Sequence, residues 1–318
     1  MILPKRSAAM AEYDILAFGE TMTMFVAETA GDLATVGQFG KRIAGADNNV
    51  AIGLSRLGFK VAWLSRVGND SFGRFVRASL EAEGLDCTRL KVDARHPTGF
   101  QLKSRVADGS DPVVEYFRRG SAASHLNIEE DFDPSLLQAR HLHATGIPPA
   151  LSPSVRAFSR HLLEAMRGAG RSISFDPNLR PSLWDSEAQM RRELNELAGL
   201  ADWVLPGLAE GRLLTGYDTP ADIAAFYLDR GAQAVAIKLG PDGGYWRTAE
   251  AEGEVPGVPV AEVVDTVGAG DGFATGFVSA LLDGLDVAAA VARGNWIGAR
   301  AVQVVGDMEG LPYRHELP

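Results

Sequence analysis

Cysteine is almost absent from this 318-residue sequence: Cys87 stands alone, so no disulfide can form within the chain. A reducing compartment suits such a chain, and Cys87 itself reads as a small packed apolar residue. No apolar run is long enough for a membrane span, because the stretch from Phe273 to Ala292 is broken by Asp283 and Asp286. The opening residues, MILPKRSAAMAEYD, hold no apolar segment of signal-peptide length, and a cytoplasmic location is expected. Positive charge is in the minority, with 31 basic against 41 acidic residues and a net charge of −10. Lysine and arginine never run beyond a pair, which disfavours nucleic acid as a partner. The phosphate fingerprint G-x-x-x-x-G-K-[ST] is missing, and GAGDGF does not match G-x-G-x-x-G. Those two absences argue against a P-loop enzyme and weaken a dinucleotide-binding reading.

What is present is ordinary for a globular protein: 46% hydrophobic and 23% charged residues, with neither repeat nor low-complexity linker. Buried strands are expected at 13–19, 61–67, 172–176, 203–206 and 234–239. Helical stripes alternate with them: Val50, Leu54 and Leu57; Phe72, Phe75, Val76 and Leu80; Val155, Phe158, Leu162 and Met166; Met190, Leu194 and Leu197. This alternation predicts an α/β fold with a mostly parallel sheet covered on both faces. Residues 21–43 and 96–120 break the rhythm and read as strands of a small inserted sheet, a lid of the kind that excludes water from a site. Residues 1–13 form an N-terminal tail, and 14–318 one domain carrying that lid. Polar residues just beyond the strand ends are where chemistry is expected.

The segment Asp265–Phe277, DTVGAGDGFATGF, carries the strongest signal. Phe273, Phe277 and Leu281 have helical spacing, so a helix begins near Gly270 or Asp271. Gly268, Ala269 and Gly270 lead into its N-terminus, where unpaired N–H groups and the helix dipole favour an anion. A carboxylate beside such an anion hole makes sense if it accepts the proton of a hydroxyl attacking a phosphoryl group. A helix cap behind a tight glycine turn is the plainer alternative for Asp271.

DTVGAGDGFATGF resembles the C-terminal signature of the ribokinase-like (PfkB) carbohydrate kinases. AGADNNVA at 44–51 followed by LSRLG, and VGNDSFGRFV at 67–76, resemble that family's upstream blocks in order and spacing. The resemblance implies a three-layer α/β/α domain with a small β lid. It implies Asp271 as catalytic base, Gly268, Ala269 and Gly270 as anion hole, and Gly45 and Asn49 as sugar-binding positions. On the nucleotide side it implies Lys238, Gly240 and Gly243 in KLGPDG, Asn295 at the adenine pocket, and Asn178. Glu210 would organise Mg²⁺ through water, although Gly207 stands where the family carries asparagine. The expected cofactors are ATP and Mg²⁺, with a monovalent cation such as K⁺ as an option.

For the sugar, EYFRRGSAAS at 115–124, FDPNLRPSLW at 175–184 and AVQVVGDMEGLP at 301–312 resemble the 2-keto-3-deoxygluconate kinase group. That implies Tyr116, Arg118, Asn178, Arg180 and Asp307 as substrate contacts, with Gln101 at a lid position. Guanidinium groups pair well with the carboxylate of a sugar acid. Edge-strand arginines that only deter aggregation are the other reading. Fructokinase or another ketose kinase remains the alternative, a non-catalytic sugar-binding regulator and a nicotinamide-dependent oxidoreductase the more distant ones. A homodimer paired through the lid sheet is the expected assembly.

Overall fold

The computed structural model describes residues 12–106, 112–304 and 306–318. Most of the expected tail, residues 1–11, therefore lies outside the described residues. The main sheet has nine strands. Seven run parallel: β1 (Ile15–Phe18), β4 (Val61–Gly68), β5 (Leu90–Asp93), β8 (His141–Thr145), β9 (Ser172–Asp176), β10 (Trp203–Val204) and β11 (Ala234–Lys238). An antiparallel hairpin, β12 (Gly244–Thr248) and β13 (Glu252–Val255), extends one edge. The order is β13-β12-β11-β10-β9-β8-β1-β4-β5, so the chain reverses its direction of travel between β1 and β8. Open α/β sheets bind ligands at such a switch point.

Strand side chains alternate between two cores. Leu16, Phe18, Val235 and Ile237 face one side, and Ile15, Ala17, Ala234 and Ala236 the other. The first side is covered by α5 (Pro153–Gly168), α6 (Glu187–Ala198), α7 (Leu208–Thr215) and α8 (Pro220–Leu228), through Phe158, Leu162, Leu194 and Ile223. The second is covered by α1 (Ala46–Arg56), α2 (Ser71–Ala82), α9 (Ala269–Leu282) and α10 (Val287–Ala301), through Val50, Leu80, Phe277 and Val291. Two short turns, α3 (Ile128–Asp131) and α4 (Pro148–Leu151), complete the helices. The result is the expected three-layer α/β/α arrangement. Helix starts follow local chemistry: Asp70, Ser152, Ser186 and Asp286 each accept a first-turn N–H.

The second sheet, ordered β3-β2-β6-β7, is made of β2 (Met22–Ala30), β3 (Phe39–Ala44), β6 (Phe100–Arg105) and β7 (Val114–Phe117). β2 leaves the main sheet just after β1 and β3 leads directly into α1, so the lid hangs over the strand ends.

Candidate active site

Beneath the lid lies a cavity of about 580 Å³. Each strand end at the switch point contributes to its wall: Glu20 after β1, Ile147 after β8, Asn178 and Arg180 after β9, Gly207 and Glu210 after β10, and Lys238 on β11. The start of α1 adds Gly45, Asp47 and Asn49, and the lid adds Gln101, Lys103, Tyr116 and Arg118. The loop into α9 supplies Gly268, Gly270 and Asp271, and Asp307 closes the wall.

Helix α9 begins at Ala269, one or two residues earlier than its apolar spacing indicates. Ala269 and Gly270 thus belong to its first turn, and Gly268 is the N-cap with φ of 85°. Gly272 is the first residue whose N–H reaches back along the helix, to the Gly268 carbonyl at 2.8 Å. The preceding N–H groups have no intrahelical acceptor and lie at the positive end of the dipole.

Asp271 is 7% exposed. Its Oδ2 accepts from Asn49 Nδ2 at 2.8 Å and its Oδ1 from Asn178 Nδ2 at 3.3 Å. Burial raises its pKa, while Asn49, Arg180, Lys238 and Asn178 pull it down. The carboxylate is therefore fixed by two amides and still retains basicity. Asn178 has φ of 39°, the only positive value outside glycine among the described residues. Strain of this kind persists where surrounding contacts enforce it.

On the β9–β11 side, Lys238 Nζ lies 2.7 Å from Asp176 Oδ2. Burial works against its charge, but Asp176, Glu210 and Asp271 outweigh that and raise its pKa, so Lys238 keeps its proton. Glu210 Oε1 accepts from Leu179 N–H at 2.8 Å and Oε2 from Gly207 N–H at 2.7 Å. Each oxygen keeps a lone pair for a water. Gly240 lines the cavity, whereas Gly243 and Asn295 do not. Asn295 instead donates to the carbonyls of Val255 and Pro256, both at 3.1 Å, and ties α10 to the loop after β13.

At the opposite end, Gly45 has φ of 154°, and a Cβ there would come within 2.3 Å of Asn48 Oδ1 and 2.5 Å of the Glu20 carbonyl. Only glycine lets the chain turn from β3 into α1 at this point. Arg118 pairs with Glu20 Oε2, through Nη2 at 2.6 Å and Nε at 2.7 Å, and lies beside the half-exposed Tyr116 ring. Arg180 is held by the carbonyls of Leu179 and Asn178. Asp307 and Gln101 are both buried in the wall, the first ion-paired to Lys103 at 3.1 Å.

Sequence reading passed over Glu20, Asp47, Lys103 and Asp176 as site groups. Asp47 is 2% exposed and accepts from Thr145 Oγ1 at 2.7 Å. Burial, reinforced by Asp271 and opposed by Thr145 and Arg118, pushes its pKa up from 3.8 to about 7. The folded state thus binds this proton more tightly than the unfolded chain does. Stability from this group is full below the unfolded value and is lost as pH rises through about 7. Asp47→Asn, whose amide oxygen can still accept from Thr145, is expected to raise Tm at pH 8 by on the order of a few degrees, and by less at pH 5. Calorimetry at the two pH values checks this; an equal change at both would remove the charge argument.

Chemically, the cavity joins a fixed, basic carboxylate to a helix N-terminus that receives anions. Arginine and lysine approach from both sides. It is equipped to deprotonate a hydroxyl beside a bound phosphoryl group.

The profile described as "pfkB family carbohydrate kinase" matches residues 13–314. A 2-dehydro-3-deoxygluconokinase of Bacillus subtilis (strain 168) is 53% identical over 305 residues, covering 96% of this chain and 94% of the relative. The crystal structure of a PfkB protein from Polaromonas sp. JS666 is 53% identical, with a TM-score of 0.89 over 96% of this chain and 99% of that one. A fructokinase double mutant from Vibrio cholerae O395, in its fructose, ADP and potassium ion bound form, is 27% identical, with a TM-score of 0.83 over 96% and 97% of the two chains.

Proposed function

The chain belongs to the pfkB family of carbohydrate kinases, and from that premise we propose that it transfers the γ-phosphoryl group of ATP to the terminal hydroxyl of 2-keto-3-deoxygluconate, giving the 6-phosphate. The observation that carries the proposal is the position of Asp271, held by Asn49 and Asn178 at the start of α9 in the same cavity as Arg118 and Arg180. Asp271 takes the proton of O6 as that oxygen attacks the phosphorus in line. The N–H groups of residues 268–270 receive the charge of the transferred group, and Lys238 meets the nucleotide phosphates. The lid excludes water, so ATP is not spent on hydrolysis.

Among the described residues, no cluster of three His, Cys, Asp or Glu side chains forms a metal cage. A lone carboxylate with free lone pairs, Glu210, suits a magnesium ion that arrives on the nucleotide and is held through water. That ion, when bound, neutralises charge on the β- and γ-phosphates. K⁺ is proposed as the monovalent cation, supported by the potassium-bound fructokinase relative. Exposed Val113, Tyr116 and Phe117 on the lid support a homodimer formed there. No helix among the described residues is long and apolar enough to cross a membrane, which is in keeping with a cytoplasmic site of action.

The Glu20–Arg118 pair favours a second reading. It cancels the arginine's charge, which suits a neutral ketose such as fructose. An ADP-release assay across 2-keto-3-deoxygluconate, fructose, tagatose and ribose separates the two. The keto-deoxy acid is expected to give the highest kcat/KM. In Arg118→Met the KM for that acid is expected to rise about 10- to 100-fold, with little change for fructose. Preference for a neutral ketose in the native enzyme would discard the sugar-acid assignment and keep the kinase.

A further inference from the structure

One lid side chain, Lys103, reaches the segments that lead into α9. Gln101 and Lys103 share a face of β6, and both line the cavity. Lys103 is only 2% exposed. Its ammonium lies 2.7 Å from Asp265 Oδ2 and 3.1 Å from Asp307 Oδ1. Both carboxylates belong to segments that shape the start of α9. Asp265 Oδ1 accepts from Val267 N–H at 3.1 Å, and Oδ2 from Gly306 N–H at 3.4 Å. The Asp307 carbonyl is the atom against which Gly268 packs: a Cβ on that glycine would come within 2.5 Å of it. One ammonium therefore joins a lid strand to the two loops that present the anion-binding N–H groups. Burial works against the Lys103 charge, but Asp307 and Asp265 outweigh it and raise its pKa, so it stays protonated. Were it removed, two buried carboxylates would face each other without a counter-charge.

We propose that Lys103 is a positioning residue that couples the lid to the anion pocket. By holding Asp265 and Asp307 together it fixes the turn at 265–268, and it registers the lid strand over Asp271. The kinetic consequence rests on the kinase reading above; the mechanical one does not.

Full-length Lys103→Met and Lys103→Arg proteins test this in two ways. By hydrogen exchange without ligand, the Met variant is expected to lose protection in 100–105 and 264–272 together, with 234–238 unchanged; Arg is expected to retain it. In the kinase assay the Met variant is expected to lose about 10- to 100-fold in kcat, the scale of a misplaced reacting group. A separate signature comes from pH. Asp307 is raised to about 6 by burial, with Lys103 pulling it down and Asp271 and Asp265 pushing it up. Loss of the ammonium removes the downward pull, so the titration of the Asp307 carboxylate, followed by NMR, is expected to move to higher pH in Met and to stay in place in Arg. Should the Met variant not fold, Asp265→Asn serves instead. It removes an upward push on Asp307, whose titration is expected to move to lower pH. An unmoved Asp307 titration in Lys103→Met or Asp265→Asn, or exchange that rises in the lid alone, would overturn the proposal. If none of the sugars made the native protein release ADP, the kinase reading would fall, and exchange would still decide the coupling.

Discussion

Asp271→Asn is expected to lower kcat by about 1,000- to 10,000-fold, the upper range for removing a positioned general base. The variant should fold, because the amide has the carboxylate's shape and its oxygen can accept from Asn49, the shorter of the two contacts at 2.8 Å. What is lost is the lone pair that takes the substrate proton, together with the bond from Asn178 at 3.3 Å. Removing a charge that burial disfavours is expected to leave stability unchanged or raised slightly at neutral pH. The native enzyme must hold Asp271 ionised, so its turnover is expected to fall as pH drops through a pKa that burial has raised. The residual rate of the variant should lack that limb. Equilibrium binding of ATP and sugar, measured by calorimetry, should change little. A variant with near-normal kcat would remove Asp271 from the chemistry.

Gly268→Ala is expected to cost at least about 100-fold in kcat, because it displaces the donors aimed at the transferred group. Two physical effects combine. The left-handed φ of 85° costs roughly 1–2 kcal/mol for an L-residue with a Cβ. The added methyl also sits 2.5 Å from the Asp307 carbonyl, so the two loops must part. Gly284, just past the other end of α9, supplies the control. Its φ is 87°, yet an added Cβ there meets nothing within 4 Å. Gly284→Ala should lower Tm by a similar backbone term and leave kcat intact. Equal losses of activity in the two variants would mean that strain in α9, and not placement of the N–H groups, explains the first.

The central strands were legible because strands buried on both faces, such as β1, read as continuous apolar runs. β8 was not, because its sequence is HLHAT. His141 and His143 break the apolar run on paper. In the fold both are buried and hydrogen-bonded in one network with Ser172 and Ser174, at 2.8–2.9 Å. Burial holds both imidazoles far below their ordinary pKa, so they pack as neutral rings. The site divides in a similar way. Asp271 and its glycines are legible because the whole block DTVGAGDGFATGF resembles a family signature, whereas spacing alone leaves a capped glycine turn as the plainer reading. Glu20, Asp47, Lys103 and Asp176 are not, since a charged residue in a sequence reads as solvated. Only the three-dimensional assembly buries them against one another.

Two of the four helices that close the second core follow every parallel strand in the sequence: α9 and α10 begin at Ala269 and Val287. A chain emerging from the ribosome can lay α1 and α2 over β1 and β4 early, but it has made every parallel strand before α9 can cover Trp203, which packs edge-on against Phe277. Until then the nascent chain offers apolar sheet to any partner, and a chaperone or premature aggregation meets it there. The same delay withholds Asp271, the proposed base, until every parallel strand has been made. On that proposal, a chain that has not yet reached α9 is sticky, yet incapable of spending ATP.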